Sequence, residues 1–119
     1  MCTSVFNQRI INKEHIIIII EDTNGNKFGG YVNVKIDKID NWINDPKSFL
    51  FSIETKRRIQ RMKKFDIKYL EDAFWLYDQS SNYLFTFGCD IYVYKESYKT
   101  KSYCKQRSYE YKGITNALC

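Results

Sequence analysis

The sequence predicts an ordered, mainly β domain with a few short helices, and three observations carry that prediction. Five consecutive isoleucines at positions 16–20 run into Asn24-Gly25, and a period-two stretch returns through Val32, Val34 and Ile36. Aromatic residues make up 17% of the chain, against a single Pro and five Gly. No segment is polar enough to read as disordered. The 119 residues form one domain, 1–119, with no linker or internal repeat. A chain of that size buries roughly two-thirds of its unfolded surface.

The elements follow in order. Ser4 caps a short helix in which Phe6 and Ile10 lie one turn apart and face inward. Consecutive β-branched residues fit a strand covered on both faces, which is the expectation for residues 16–20. Asn24-Gly25 is the preferred dipeptide of a two-residue hairpin turn, because both central residues must reach positive φ. Gly29-Gly30 inside the returning strand predicts a bulge or the close approach of another segment. Residues 36–43 place apolar side chains near helical spacing, and Asp45-Pro46 stops them. A third strand at 48–53 sets Phe49, Phe51 and Ile53 on one face.

Beyond it, the basic residues 56–64 read as an exposed turn or loop. Ile67, Leu70, Phe74 and Tyr77 suit a helix, whereas residues 74–77 alone suit a buried strand. A turn at 78–82 separates them from a strand at 83–87. Gly88-Cys89 is a break, 90–95 a further strand, and 108–112 a short late strand before a turn at Gly113.

The net charge of +5 is unevenly placed. Lys56, Arg57, Arg58, Arg61, Lys63 and Lys64 put six bases into nine residues and form a candidate anion-binding patch. A second basic stretch, 95–107, is interleaved with Tyr98 and Tyr103. Such stretches attract nucleic acid, acidic membrane surfaces or acidic proteins.

Several chemistries are poorly matched. The start lacks the apolar core of a secretory signal, and the isoleucine run is too short to span a bilayer. A soluble, cytoplasmic protein without a transmembrane segment is expected. Cys2, Cys89, Cys104 and Cys119 contain no C-x-x-C pair and His15 is the only histidine, so no structural zinc spacing exists. Reduced thiols are the expectation. As a calcium loop, the run from Asp22 fails: Gly25 comes too early, Asn33 stands at the twelfth position, and strands flank it. No helix opens after the glycines to make a phosphate loop. His15 borders the isoleucine strand, and Glu71-Asp72 are neighbours that point oppositely along a strand. The expectation is a protein that is not an enzyme and uses no metal or cofactor.

Four segments together resemble a known family. They are Asp22-x-x-Gly25-x-x-Phe28-Gly29-Gly30-Tyr31, then Ser48-Phe49-Leu50-Phe51-Ser52, then Phe87-Gly88-x-Asp90-Ile91, and finally Tyr111-x-Gly113-x-x-Asn116-Ala117-Leu118. In content, order and approximate spacing they resemble the TLDc domain over about residues 6–118, in the style of short stand-alone protist versions. The resemblance implies a sandwich of two antiparallel sheets with a few short helices, and it reads residues 74–77 as a strand. It marks Asp22, Gly25, Phe28, Gly29, Gly30, Ser48, Phe49, Phe51, Ser52, Phe87, Gly88, Asp90 and Gly113 as motif residues with structural roles. Members are associated with resistance to oxidative stress, and several bind and regulate the vacuolar proton-pumping ATPase. The resemblance thus implies a non-enzymatic domain with a protein partner.

Family domains usually continue with a glycine turn and an acidic-aromatic strand, whereas this chain stops at Cys119. That predicts a sandwich missing its last strand and self-association through the edge left unpaired. The alternative reading is binding of RNA or single-stranded DNA, with Tyr98 and Tyr103 stacking on bases beside phosphate-binding cations.

Overall fold

The computed structural model describes residues 3–54, 62–78, 80–94, 103–113 and 118. A helix, α1 (Thr3–Ile10), precedes the hairpin of β1 (Ile16–Glu21) and β2 (Lys27–Val32). Next come β3 (Trp42–Ile43), β4 (Phe49–Glu54) and β5 (Lys63–Asp66). A single 3-10 turn at Leu70–Asp72 leads into β6 (Phe74–Leu76), then β7 (Tyr83–Phe87), β8 (Ile91–Tyr94) and β9 (Tyr103–Cys104). One sheet has the order β1-β2-β4-β5 and the other β3-β6-β7-β8-β9. Every strand pairing is antiparallel.

The two sheets close on one another through alternate side chains. Phe28, Val32, Leu50 and Phe65 from the first sheet meet Phe74, Leu76, Phe85, Phe87 and Ile91 from the second in one buried core. Burying each such side chain contributes about 1.5–3 kcal/mol. Helix α1 covers one end of this core: Phe6 stacks on Phe85 at 5.1 Å, and Ile10 is buried. The sheets approach closely at Gly30, where an added Cβ would sit 2.5–2.8 Å from the Phe87 ring. The ring thus occupies the space a side chain would fill. At Gly29 the Ile18 carbonyl and the Phe51 ring crowd the same position from the other face.

The structure corrects several expectations. β1 is an edge strand whose burial alternates, with Ile17 and Ile19 61% and 64% exposed. A run of β-branched residues reports strand propensity but not how many faces are covered: Ile16, Ile18 and Ile20 pack against the core, while Ile17 and Ile19 lie on the opposite, exposed face. The hairpin is not a two-residue turn. Asp22 pairs with Asn26, and Gly25 N–H donates to the Asp22 carbonyl. Gly25 has φ +86° while Asn24 is not among the positive-φ residues, which is a type I turn closed by a glycine bulge.

Residues 36–43 are not helical. Ile36 is buried, Ile39 exposed, and Trp42 pairs with Trp75, so strand pairing overrides the helical spacing. Ser4 lies within α1 rather than before it. Lys63 and Lys64 belong to β5, not to a loop. Among the described residues, 108–112 make only an isolated bridge, Ile67 to Tyr109, while β9 appears within the second basic stretch. Residues 74–76 form β6, as the resemblance implied. Cys104 is disulfide-bonded and Cys89 carries a free thiol. This departs from four reduced thiols: spacing along the chain does not show which cysteines a fold brings together.

Candidate interaction surface

Three of the motif residues, Ser48, Gly88 and Asp90, meet in a buried polar network rather than an open site. Asp90, fully buried in the turn just before β8, accepts hydrogen bonds from the backbone N–H groups of Arg107, Ser108 and Tyr109. The Tyr111 hydroxyl donates to the same carboxylate. Gly88 turns the chain just before it, with φ +54°, and a Cβ there would meet Ser108 at 2.7 Å. Ser48 hydroxyl lies 2.9 Å from the Tyr109 hydroxyl, which also donates to the Ala73 carbonyl. Ser48 in turn donates to the Tyr31 carbonyl at 2.9 Å. The late segment is thereby tied to both sheets, and its tyrosines are held neutral. Burial pushes the Tyr109 phenol well above its ordinary range, and burial together with the Asp90 charge does the same for Tyr111.

A second buried carboxylate, Asp45, accepts from the N–H groups of Asn33 and Lys47. Both carboxylates are consumed in holding loops. Asp22 is similar at the hairpin: it accepts from the N–H of Asn24 and Asn26 and from the Asn26 side chain. Its partial burial works against ionisation, but those donors, Asn26 foremost, outweigh it and lower its pKa. That carboxylate serves its own turn and is not a vacant calcium ligand. Phe49 and Phe51 point to the outer face of the first sheet, where Lys64 lies 4.5 Å over the Phe49 ring. Ser52 is buried beside Phe28. Gly113 provides a φ of +82° at the late turn.

The surface that can face a partner lies on the outer side of the second sheet, and the sequence reading missed it. Trp42 and Trp75 meet edge to face at 5.1 Å, and Trp75 continues to Tyr77 at 5.6 Å. Tyr77 stacks on Tyr83 at 4.9 Å, Tyr83 on Tyr94 at 4.4 Å, and Tyr92 adjoins Tyr83 at 6.1 Å. All six rings are part-exposed, and Thr86, opposite both Trp75 and Tyr92, is buried among them. The signal was present as alternation: Trp75 and Tyr77, then Tyr92 and Tyr94, are two residues apart on strands. What the sequence withheld was which alternate set faced outward.

Chemically the strip is amphipathic. Trp75 Nε1 is buried without an acceptor among the described residues, and the Tyr94 hydroxyl donates to that of Tyr83. Burial raises the Tyr77 phenol pKa, and Asp40 adds to the effect. Asp40 accepts from the N–H of Asp78, so the described rim at this end carries carboxylates. Stacking on both sides leaves Tyr83 edges rather than faces available, which suits side-chain contact better than base stacking.

Of the candidate anion patch, Lys63 and Lys64 are exposed on β5, with Lys64 3.4 Å from Asp66. Lys56, Arg57, Arg58 and Arg61 lie outside the described residues, as does Tyr98. Among the described residues no group of three His, Cys, Asp or Glu side chains could hold a metal ion. No helix among them is long and apolar enough to cross a membrane. His15 is exposed, with Nδ1 2.9 Å from the Tyr31 hydroxyl.

The fold and this surface define a small two-sheet β domain with an inward-directed polar network and an aromatic outer face. The model of one family, the TLDc domain, matches residues 2–116, and the chain belongs to that family. No curated protein and no solved structure matches it.

Proposed function

We propose that this chain is a non-enzymatic, protein-binding TLDc domain acting in the response to oxidative stress, with the vacuolar proton-pumping ATPase as its partner. One observation carries the binding part: the half-exposed strip of Trp42, Trp75, Tyr77, Tyr83, Tyr92 and Tyr94 on a rigid sheet. Trp and Tyr are the residues that most often anchor protein interfaces, because each offers a large apolar area at little entropic cost. The stress and ATPase parts rest on family membership alone.

Support for a non-enzymatic role comes from the carboxylates. Asp22, Asp45 and Asp90 spend their oxygens on backbone N–H groups. A cytoplasmic location belongs to the same proposal. The Cys104 disulfide opposes it, since such bonds are rare in that compartment.

The test is direct binding of purified vacuolar ATPase to the immobilised chain, as the parent and as Tyr83→Ala/Tyr94→Ala. Binding by the parent that falls at least tenfold in the variant supports the reading. No binding by the parent removes the ATPase as partner. Equal binding by both removes the strip as the surface.

A further inference from the structure

The four sheet edges among the described residues are not alike. β3 and β9 are two residues long. β5 carries Lys63, Lys64 and Asp66, and its flank is engaged by Glu110 N–H on the Asp66 carbonyl and by the Ile67–Tyr109 bridge. Shortness, charge and cover are the usual protections of an edge. β1 is six residues long, reads Ile-Ile-Ile-Ile-Ile-Glu, and no described strand pairs with its outer side. It is the unprotected edge.

Its hydrogen-bonding direction can be read from the hairpin. Asp22 donates its N–H to the Asn26 carbonyl, so the even-numbered residues of β1 bond to β2. In an antiparallel ladder the intervening residues turn the other way. Ile17, Ile19 and Glu21 therefore aim their N–H and C=O groups at solvent. The same Ile17 and Ile19 are the ones whose side chains are 61% and 64% exposed.

We infer that β1 is a homotypic interface that pairs antiparallel with β1 of a second copy of this chain. A twofold axis through Ile18 sets Ile17 against Ile19 of the second copy, so each outward-facing pair exchanges two backbone hydrogen bonds. Opposed residues in an antiparallel pair share a face. The exposed isoleucines then cover one another on the outer side, while Ile16, Ile18 and Ile20 continue the core side. Identical β-branched residues make the strand self-complementary, which a heterologous strand would match only by having a similar apolar pattern. At the ends of the pair, His15 comes opposite Glu21 of the second copy, a polar and charge-compatible contact.

The contact closes. Both β1 edges are used, and the edges that remain at β5 are charged, so two four-stranded sheets merge into one of eight and growth stops. A pairing of this length buries less than the roughly 1,200 Å² at which stable specific interfaces begin. The dimer is thus concentration-dependent, with a dissociation constant on the order of 100 µM. This surface is on the opposite sheet from the aromatic strip, and the inference does not depend on the proposed function.

The experiment is sedimentation equilibrium of the whole chain from about 10 µM to about 1 mM, at moderate salt, with the free Cys89 thiol blocked. The parent is expected to pass from monomer to dimer across that range, and Ile17→Lys/Ile19→Lys to remain monomeric throughout. Ile19→Pro is the second variant: it removes one outward N–H at an edge position that tolerates proline. Thermal melts of both variants, matched to the parent, show that the fold is kept. Hydrogen exchange provides an independent reading, because the amides of Ile17, Ile19 and Glu21 should slow as concentration rises. A parent that stays monomeric overturns the inference. So does a dimer that survives both variants, or association that runs past the dimer. Capture of a different strand-bearing protein without self-pairing identifies a heterologous occupant and overturns it as well.

Discussion

Two polar-aromatic regions of this molecule use the same residue types in opposite ways. Around Asp90, the tyrosines 109 and 111 point inward, their hydroxyls taken by Ser48, Ala73 and the carboxylate itself. On the outer face of the second sheet, tyrosines 77, 83 and 94 stack, Tyr92 adjoins them at a tilt, and all four stay part-exposed. The inner set has every polar atom fixed by a partner, so removing one member leaves others buried and unpaired. The outer set is held by ring contacts that tolerate loss one at a time. An inner tyrosine is therefore a fold residue and an outer one is free to serve recognition.

Breaking the inner network should give the largest effect. Asp90→Ala strands the N–H groups of residues 107–109 and the Tyr111 hydroxyl, and should lower unfolding free energy by about 3–5 kcal/mol. A urea melt reads this directly, and a loss under about 1 kcal/mol would show the network to be dispensable. Gly30→Val comes next, at about 2–4 kcal/mol, because its side chain must enter space held by Phe87. Combining it with Phe87→Ala should recover part of that loss, and strict additivity would refute the clash.

The tyrosines separate by pH. Tyr109 and Tyr111 have pKa values raised in the fold above the ordinary 10.0, so their contribution is complete below pH 10.0 and falls as the pH climbs above it. Melting temperature should drop beyond pH 10.0, and Tyr111→Phe, though weaker at neutral pH, should drop less steeply. Equal slopes would mean that Tyr111 ionises without cost.

Outer substitutions sharpen the contrast from the other side. Tyr83→Ala/Tyr94→Ala should change stability by only about 1–1.5 kcal/mol while abolishing partner binding. The smallest effect belongs to the hairpin. Asp22→Ala should cost about 0.5–1 kcal/mol at neutral pH. Its carboxyl pKa is lowered in the fold, so its stabilisation holds above the ordinary 3.8 and is lost as pH falls below it. The variant should therefore show a flatter acid limb, and parallel limbs would dismiss the turn as a contributor.

Much of this was legible along the chain because it depends on neighbours in sequence. Strand propensity at residues 16–20 and 83–87 and the turn at Asp22–Gly25 are local properties of backbone and side chain. The missing side chains of Gly29-Gly30 signal a close approach, whose partner at Gly30, the Phe87 ring, only the packing of the two sheets supplies. The order of four motifs was enough to resemble the TLDc family, and that resemblance correctly placed a strand at 74–76. Whether a strand lies at a sheet's edge or its middle is not local. The same five isoleucines would read alike in either place; the order β1-β2-β4-β5 puts them at the edge, and the core packs against Ile16, Ile18 and Ile20 while leaving Ile17 and Ile19 exposed. Residues 36–43 show the same limit, since pairing of Trp42 with Trp75 overrode an apolar spacing of helical period. The aromatic strip exists only because β3, β6, β7 and β8 align their outward alternates side by side. Period-two patterning tells that two sets of side chains part to opposite faces, but the choice of buried face is made by the sheet that arrives to cover it.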